Sequence, residues 1–314
     1  MKLATLPGPT PDGRLVAVSG ETCRPVACGT MLAWLEGGDR TLGMEEGFDP
    51  TEALACLPRA WQFLDGSAYV NHVDLVRRAR GAEMPERFWH DPLMYQGLNL
   101  FEPPRAPIPS SPGWGTDLEA EVAVLTGPVP RGASVDVAGA AIKAVCLLND
   151  VSLRALIPDE LAKGFGFVHG KPASALSPLA LTVDDMPGWR DGRLHATIHV
   201  DLNGAPLGRT DAGADMTFDF PTLVAHAART RDLPVGTVIG SGTVSNRDAN
   251  GGPGRPVSAG GRGYSCIAEQ RMVETIRDGR AQTPFLAVGD RVRLWAEHDG
   301  ADLFGAIEQE IVAA

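Results

Sequence analysis

The sequence predicts an α+β fold that is mostly β, because strand patterns outnumber helix patterns and the two do not alternate along the chain. After residue 113, apolar and β-branched runs end repeatedly in turn residues, as β-strands do. These runs are AEVAVLTG, AAIKAVCLLND, LHATIHVDLNG, GTVIGSG, DRVRLWAEH and GAIEQEIV. Without strand–helix alternation a doubly wound parallel sheet is not expected, and mixed or antiparallel sheets are.

The N-terminal region predicts short strands followed by two helices. LATL and LVAVSG flank the turn sequence PTPDGR, which indicates a strand–turn–strand unit. From Asp49, the segment DPTEALACLPRAWQFL has an Asp cap, an early Pro and apolar residues at helical spacing. A second helix is expected from about Ser67 to Arg80. Further along, FPTLVAHAART and RMVETIRDG predict two more helices.

A Pro- and Ser-rich stretch, PPRAPIPSSPG, predicts a linker at Pro103–Gly113. It divides the chain into an N-terminal domain, residues 1–102, and a second domain, residues 103–314. The N-terminal domain then combines a small β unit with the two helices.

The composition excludes several classes of protein. The chain has 314 residues, 44% of them hydrophobic, which is enough for a sizeable core. A formal net charge of -11 argues against nucleic acid or an anionic membrane as a partner, since both need a basic face. Five cysteines at irregular spacing, with no Cys-x-x-Cys, indicate reduced thiols. No apolar run approaches the ~20 residues of a membrane span, so we expect a soluble, cytoplasmic protein.

Acidic residues in two strand segments are candidate metal ligands. In a strand, Asp117, Glu119 and Glu121 would share one face, where a divalent cation could relieve their repulsion. Oxygen ligands suit Mg²⁺, Ca²⁺ or Mn²⁺ rather than zinc. Asp150 follows an apolar strand and could be a turn residue or a third ligand. A solvated acidic strand face remains the alternative for the glutamates.

Two further side chains could take part in chemistry. Lys171 lies in a Gly/Pro loop between apolar runs and could stabilise an oxyanion, although exposed loop lysines are common. His72 falls on the second turn of the helix expected from Ser67, where a histidine can be structural or catalytic.

Taken in order, several motifs resemble the fumarylacetoacetate hydrolase family over about residues 100–314. They are Glu119-x-Glu121, Asn149-Asp150-Val-Ser-x-Arg154, Gly170-Lys171 with Ser177-Pro178 after it, Gly240-Ser-Gly242-Thr243-Val-Ser, Gly263-Tyr-Ser-Cys-Ile-Ala-Glu269 and Phe304-Gly-Ala-Ile-Glu-Gln. Upstream, Asp65, His72 and Met84-Pro85 are similar to the longer members with fumarylacetoacetase activity. The stretch that ends in Tyr95-Gln96-Gly97 is similar to them as well.

The resemblance implies a mixed β-roll catalytic domain, a small SH3-like N-terminal domain and a homodimer. It implies a metal site for Mg²⁺ or Ca²⁺, with Mn²⁺ as a further option, whose ligands are Asp65, Glu119, Glu121 and Asp150. It also implies the catalytic residues His72 (general base), Glu269 and Lys171. The substrate-binding residues it implies are Tyr95, Gln96, Arg154 and Thr243.

The implied activity is hydrolysis of a C–C bond in a 1,3-diketone acid, such as fumarylacetoacetate or an acylpyruvate, in the breakdown of tyrosine or other aromatic compounds. Two departures from the longer members leave the substrate open. Gly81 stands where they have an arginine, and Ile157 where they have a glutamine. Glu274 is an alternative to Glu269 as the partner of His72. A same-fold isomerase or decarboxylase of a keto-diacid and a non-enzymatic, metal-stabilised dimer are the rival interpretations.

Overall fold

The structure is a computed structural model that describes residues 1–314, the side chain of Asp185 excepted. Its strands are β1 Lys2–Leu6, β2 Arg14–Ser19, β3 Thr22–Pro25, β4 Glu46–Gly47, β5 Gln62–Gly66, β6 Met94–Gln96, β7 Phe101–Glu102, β8 Ile108–Ser110, β9 Thr116–Asp117, β10 Ala120–Thr126, β11 Ile142–Asn149, β12 Ser152–Leu153, β13 Ser174–Leu176, β14 Leu179–Thr182, β15 Trp189–Arg190, β16 Arg193–Leu194, β17 Thr197–Leu202, β18 Ala205–Asp211, β19 Thr237–Gly240, β20 Arg291–His298, β21 Ala301–Asp302 and β22 Ile307–Ala313.

Helices are fewer and short. The α-helices are α1 Met31–Leu35, α2 Val70–Ala79, α3 Val135–Ala141, α4 Ile157–Lys163, α5 Phe220–Ala227 and α6 Ile267–Asp278, and 3₁₀ turns cover Pro50–Glu52, Glu86–Trp89, Val183–Asp185 and Val257–Ala259. The prediction of a mostly β α+β fold is therefore confirmed. Within the described residues, no helix is long and apolar enough to cross a membrane.

One large mixed sheet runs through both halves of the sequence. Its strand order is β4-β3-β2-β1-β14-β11-β10-β19-β5-β6, with β13 joining β11 to β7. Most neighbours are antiparallel, but β5 runs parallel to β19 and β7 runs parallel to β13. This register sets Asp65 of β5 beside Gly240 of β19, so the first part of the chain also supplies the strands β5 and β6 at the far end of the sheet.

The strands of residues 1–102 continue this sheet, because β1 pairs with β14 through Lys2 and Leu181. The SH3-like form of the N-terminal region and the boundary at residue 103 stay predictions. A second sheet, ordered β18-β17-β20-β22-β8, lies beside the first. Ile198 and Leu294 of this second sheet share one hydrophobic core with Val122 and Val145 of the first.

The central strands are buried on both faces. Along β10, Val122 and Val124 belong to the core shared by the two sheets, whereas Ala123 and Leu125 belong to a second core under β1, β2 and α1. All seven residues of this strand are buried. Burial on both faces explains the continuous apolar run, which departs from the alternation of a half-exposed strand.

The helix predicted from Asp49 is wrong. Only a 3₁₀ turn forms at Pro50–Glu52, and Ala53 is already extended, with φ -65° and ψ 135°. Pro58 disfavours helical geometry in the residue before it, and Gln62–Gly66 is held as a strand between β19 and β6. Tertiary pairing thus overrides the helical spacing of the apolar residues.

The other expected helices are present. The helix predicted at Ser67–Arg80 is α2, which begins at Val70 and so places His72 on its first turn. The two later segments are α5 and α6. The sequence did not predict α3, whose last residues replace the start of the strand expected at AAIKAVCLLND. Ser134 caps this helix by accepting a hydrogen bond from the amide of Val137.

Candidate metal and catalytic site

Three buried carboxylates converge at the centre of the large sheet. Asp65, Glu121 and Asp150 each offer an oxygen, and these atoms lie within 4.8 Å of one another. Asp65 is in β5, Glu121 is in β10, and Asp150 directly follows β11, so sheet pairing brings together residues that are far apart in sequence. The sequence predicted all three as ligands, and the structure places all three in one cluster.

Glycines make room for this cluster. A Cβ atom on Gly240 would lie 2.3 Å from Asp65 Oδ1 and 3.0 Å from Glu121 Oε2. Gly242 has φ +74°, and its amide donates hydrogen bonds of 3.0 Å to both of these carboxylate oxygens. The Gly240-Ser-Gly242 motif therefore holds these two carboxylates close together without occupying the space between them.

The charges of this cluster are not compensated by the protein alone. Burial, reinforced by the charge of Asp150, raises the pKa of Asp65 to about 8. Burial and the neighbouring Asp65 raise the pKa of Glu121 well above its ordinary value. Glu121 Oε1 is buried and has no hydrogen-bond partner among the described residues. An orphaned carboxylate oxygen among close carboxylates fits a hard divalent cation.

Glu119, the fourth predicted ligand, lies in a different environment. Lys171 Nζ donates to Glu119 Oε2 at 2.6 Å and to Asp150 Oδ2 at 2.5 Å, so it bridges Glu119 to the cluster. Arg154 Nη2 donates to Glu119 Oε1 at 2.7 Å. Burial opposes ionisation of Glu119, but Arg154 and Lys171 outweigh it and hold the pKa of this carboxyl well below its usual range.

Asp150 and Glu119 are also fixed by neighbouring side chains, among them Tyr95, which was predicted to bind substrate, and Ser174, which the sequence did not single out. Ser174 Oγ donates to Asp150 Oδ1 at 2.7 Å, and the hydroxyl of Tyr95 donates to Asp150 Oδ2 at 2.5 Å. The amide of Glu119 donates to Asn149 Oδ1, and Asn149 Nδ2 donates to Gln309 Oε1 at 2.8 Å. Asn149 and Gln309 belong to the Asn-Asp pair and the closing Glu-Gln of the family motifs, which were the sequence signals for this part of the network.

Asp117 does not join the metal cluster, contrary to the expectation that it shares a face with the two glutamates. Its oxygens accept 2.9 Å hydrogen bonds from the amides of Ile267 and Ala268 and from Arg154 Nε. Asp117 ends β9 and β10 starts at Ala120, so the alternation of a single strand does not extend across these residues. Asp117 instead caps α6 and fixes Arg154.

Partly exposed His72 pairs with buried Glu269 at the edge of the same site. His72 Nδ1 lies 2.7 Å from Glu269 Oε2, and Glu269 is 1% exposed. A carboxylate only accepts hydrogen bonds, so Nδ1 is the donor and Nε2 remains free to accept. Glu274, the alternative partner, instead accepts hydrogen bonds from the amides of Gln282 and Thr283.

A cavity of about 450 Å³ opens onto these groups. Its polar wall contains Asp65, His72, Tyr95, Glu119, Arg154, Lys171 and Thr243, and its apolar wall includes Val76, Ile157, Leu161, Phe167, Met272 and Phe285. Thr243 Oγ1 is buried and has no hydrogen-bond partner among the described residues. Gln96 is exposed and does not line the cavity, because it follows Tyr95 on β6 and points to the opposite side. Gln96 therefore lies apart from the other residues predicted to bind substrate.

Fold and site together define a class of mostly β proteins with a buried carboxylate cluster, a candidate site for a divalent cation, beside a cavity lined by ionisable side chains. The chain belongs to the fumarylacetoacetate hydrolase family, because the family described as fumarylacetoacetate (FAA) hydrolase C-terminal matches residues 62–312. No curated protein matches the chain.

Solved structures share the fold at low sequence identity. Fumarylacetoacetate hydrolase from the psychrophile Exiguobacterium antarcticum has a TM-score of 0.67 at 16% identity, over 100% of both chains. A 5-carboxymethyl-2-hydroxymuconate delta-isomerase from Mycobacterium smegmatis has a TM-score of 0.63 at 18% identity, again over 100% of both chains. Fumarylpyruvate hydrolase from Pseudomonas aeruginosa, in complex with Mn²⁺ and pyruvate, has a TM-score of 0.55 at 14% identity, over 81% of this chain and 91% of that chain.

Proposed function

We propose that the chain is a metal-dependent hydrolase that cleaves a C–C bond in a 1,3-diketone acid, such as fumarylacetoacetate or an acylpyruvate, in the breakdown of tyrosine or another aromatic compound. The observation that carries this proposal is the His72–Glu269 pair, 2.7 Å apart, on the same cavity as the carboxylate cluster. The fold shared with a fumarylpyruvate hydrolase supports the substrate class.

Asp65, Glu121 and Asp150 would hold the cation, with Glu119 as the proposed fourth ligand. Their all-oxygen donor set suits Mg²⁺ or Ca²⁺, and the Mn²⁺ in the Pseudomonas aeruginosa structure makes Mn²⁺ a third choice. Bound there, the cation would supply Lewis-acid chemistry to a diketone substrate.

The protein's own residues account for the proton transfers. Nε2 of His72 takes a proton from a water molecule while Glu269 holds the imidazole by Nδ1. The resulting hydroxide adds to the acyl carbonyl. The C–C bond then breaks to give a carboxylic acid and the enolate of the second product, which takes up the proton that His72 removed from water. Burial favours a neutral Lys171, but Asp150 and Glu119 raise its pKa above its ordinary value, so it is an ammonium that can stabilise the oxyanion.

Tyr95, Arg154 and Thr243 would bind the polar groups of the substrate. Arg154 is held rigidly by Asp117 and Glu119, which prevents it from turning away from the cavity. Thr243 offers a hydroxyl with no partner among the described residues, as a group that awaits a ligand would.

The rival functions fit these contacts less well. An isomerase or decarboxylase of a keto-diacid could use the same cation but has no need of a water-activating histidine, and the His72–Glu269 pair therefore favours hydrolysis. A structural metal site needs no cations beside it, whereas Lys171 and Arg154 both contact Glu119. A homodimer is proposed on the family resemblance.

A substrate screen tests the proposal. The purified chain is assayed with fumarylacetoacetate, fumarylpyruvate, acylpyruvates and oxaloacetate, each with Mg²⁺ and with a chelator. We expect Mg²⁺-dependent release of two acids from at least one diketone acid. Double-bond isomerisation or CO₂ release from a keto-diacid, with no hydrolysis of any diketone acid, would refute it.

A further inference from the structure

A second group of metal-binding side chains lies next to the carboxylate cluster. His72, Glu119 and Cys266 each offer one atom, and these three atoms lie within 4.8 Å of one another. They come from separate elements: His72 from α2, Glu119 from the residues between β9 and β10, and Cys266 from the position before α6. None of the three belongs to the cluster of Asp65, Glu121 and Asp150.

We propose that His72, Glu119 and Cys266 form a separate site for Zn²⁺ or a similar borderline-soft ion, and that its occupation inhibits the enzyme. The donors are one imidazole nitrogen, one sulfur and one carboxylate oxygen, which are the three ligand types that zinc takes in proteins. The neighbouring site offers oxygen alone, which suits hard cations. The two sites therefore differ in the ions they prefer.

The surroundings of His72 support a role as a zinc ligand. Histidines that bind zinc usually donate their second ring N–H to a carboxylate, which fixes the ring and raises its basicity. Glu269 accepts that bond from His72 Nδ1 at 2.7 Å and leaves Nε2 for an ion. The pair that prepares His72 to accept a proton from water thus also prepares it to bind a metal.

The position of Cys266 supports the sulfur ligand. Its Sγ accepts a hydrogen bond from the amide of Glu269 at 3.3 Å, at the N-terminus of the twelve-residue helix α6. Burial and the nearby Asp117 raise the pKa of this thiol, so an ion that binds the sulfur must displace its proton. Cys266 is fully buried, whereas His72 and Glu119 line the cavity, so an ion would meet these two first and the sulfur behind them.

Inhibition follows from the lone pair of His72 Nε2, which cannot hold an ion and also accept a proton from water. This consequence rests on the proposed hydrolase function, but the binding of the ion does not. The two oxygens of Glu119 already accept hydrogen bonds from Arg154 and Lys171, and each keeps a lone pair with which Glu119 could contact an ion in either site. Excess Mg²⁺ should fill the all-oxygen site and leave the mixed site for a softer ion.

Cobalt spectroscopy tests the site directly on the full-length, Mg²⁺-saturated protein. Co²⁺ stands in for Zn²⁺, and a thiolate ligand gives a sulfur-to-cobalt charge-transfer band in the near ultraviolet that carboxylates cannot give. We expect the band in the wild type, its loss when Zn²⁺ is added, and its absence in Cys266→Ser. Cys28→Ser is the matched control, since Cys28 is partly exposed and lies outside the site, and it should keep the band.

Zinc titrations of hydrolysis give a second readout, each variant being compared with its own zinc-free rate. Half-inhibition of Cys266→Ser should need at least ~10-fold more Zn²⁺ than the wild type or Cys28→Ser, because even outer-shell changes cost ~10–100-fold in metal affinity. Serine keeps a cap for α6, and circular dichroism checks the fold. Absence of a charge-transfer band in the wild type, or an unchanged band in Cys266→Ser, would overturn the site. If no diketone acid is hydrolysed, the proposed function fails while the cobalt band still decides the site.

Discussion

Substitution of Gly240 by alanine should weaken metal binding, although Gly240 has no side chain that could be a ligand. The added Cβ would lie 2.3 Å from Asp65 Oδ1 and 3.0 Å from Glu121 Oε2, both closer than van der Waals contact, with Leu148 Cδ2 at 3.2 Å on a third side. Real Cβ atoms are not found so close to neighbours, so Asp65, Glu121 or β19 must move. Overpacking of this kind costs about 1–3 kcal/mol of stability. Displacement of two ligands should weaken Mg²⁺ or Mn²⁺ binding by at least ~10-fold.

Gly47→Ala is the matched control, because Gly47 lies in strand β4 and a Cβ atom there meets nothing within 4 Å. Its stability should stay within about 0.5 kcal/mol of the wild type. Calorimetric titration measures metal affinity, and urea unfolding in the presence of a chelator measures stability apart from metal binding. Wild-type metal affinity in Gly240→Ala, with both glycine variants folded, would show that the space between Asp65 and Glu121 does not matter to the ion.

Three other predictions follow from the contacts of the site. His72→Ala should keep its affinity for Mg²⁺ but lose hydrolysis by ~10² or more; unchanged turnover would exclude the histidine as general base. Mg²⁺ binding at a pH below about 8 should release protons and weaken as the pH falls, because the raised pKa of Asp65 keeps it protonated in the metal-free protein; titrations in two buffers of different ionisation enthalpy count the protons, and zero release would contradict this. Lys171→Met should raise the pKa of Glu119, which Lys171 now lowers, and reduce the turnover number more than the substrate affinity; a change in KM alone would assign Lys171 to substrate binding.

The sequence predicted the central strands well because their signal is local. Apolar runs that end in turn residues mark β10, β11, β19, β20 and β22, and each forms close to its expected bounds. The segment from Asp49 to Leu64 failed because its local signal was helical, while its partners β6 and β19 lie far away in sequence. No spacing rule reveals that a strand after residue 236 will pair in parallel with one at residue 62.

The residues of the candidate metal site were also predicted only in part. Residue types and the ordered motifs identified Asp65, Glu121 and Asp150, and the structure brings these three together. Strand alternation also placed Asp117 on one face with Glu119 and Glu121, but the chain leaves the strand at Leu118, and Asp117 lies instead at the N-terminus of α6. Cys266 was expected only to be a reduced thiol, because its proximity to His72 depends on the packing of α2 against α6.

The balance of charge in the site indicates where a cation would bind. Five buried carboxylates, those of Asp65, Asp117, Glu119, Glu121 and Asp150, meet two cationic side chains, Arg154 and Lys171. The cations contact Asp117, Glu119 and Asp150 and leave Asp65 and Glu121 without a counter-charge. Burial raises the pKa values of both, so the metal-free protein supplies protons where it lacks positive charge. Burial also raises the pKa of Asp117, but there Arg154 and the amides of Ile267 and Ala268 oppose the effect. A divalent ion would replace those protons, and for this reason the proton count on metal binding, more than the affinity itself, tests whether the ion sits between Asp65 and Glu121.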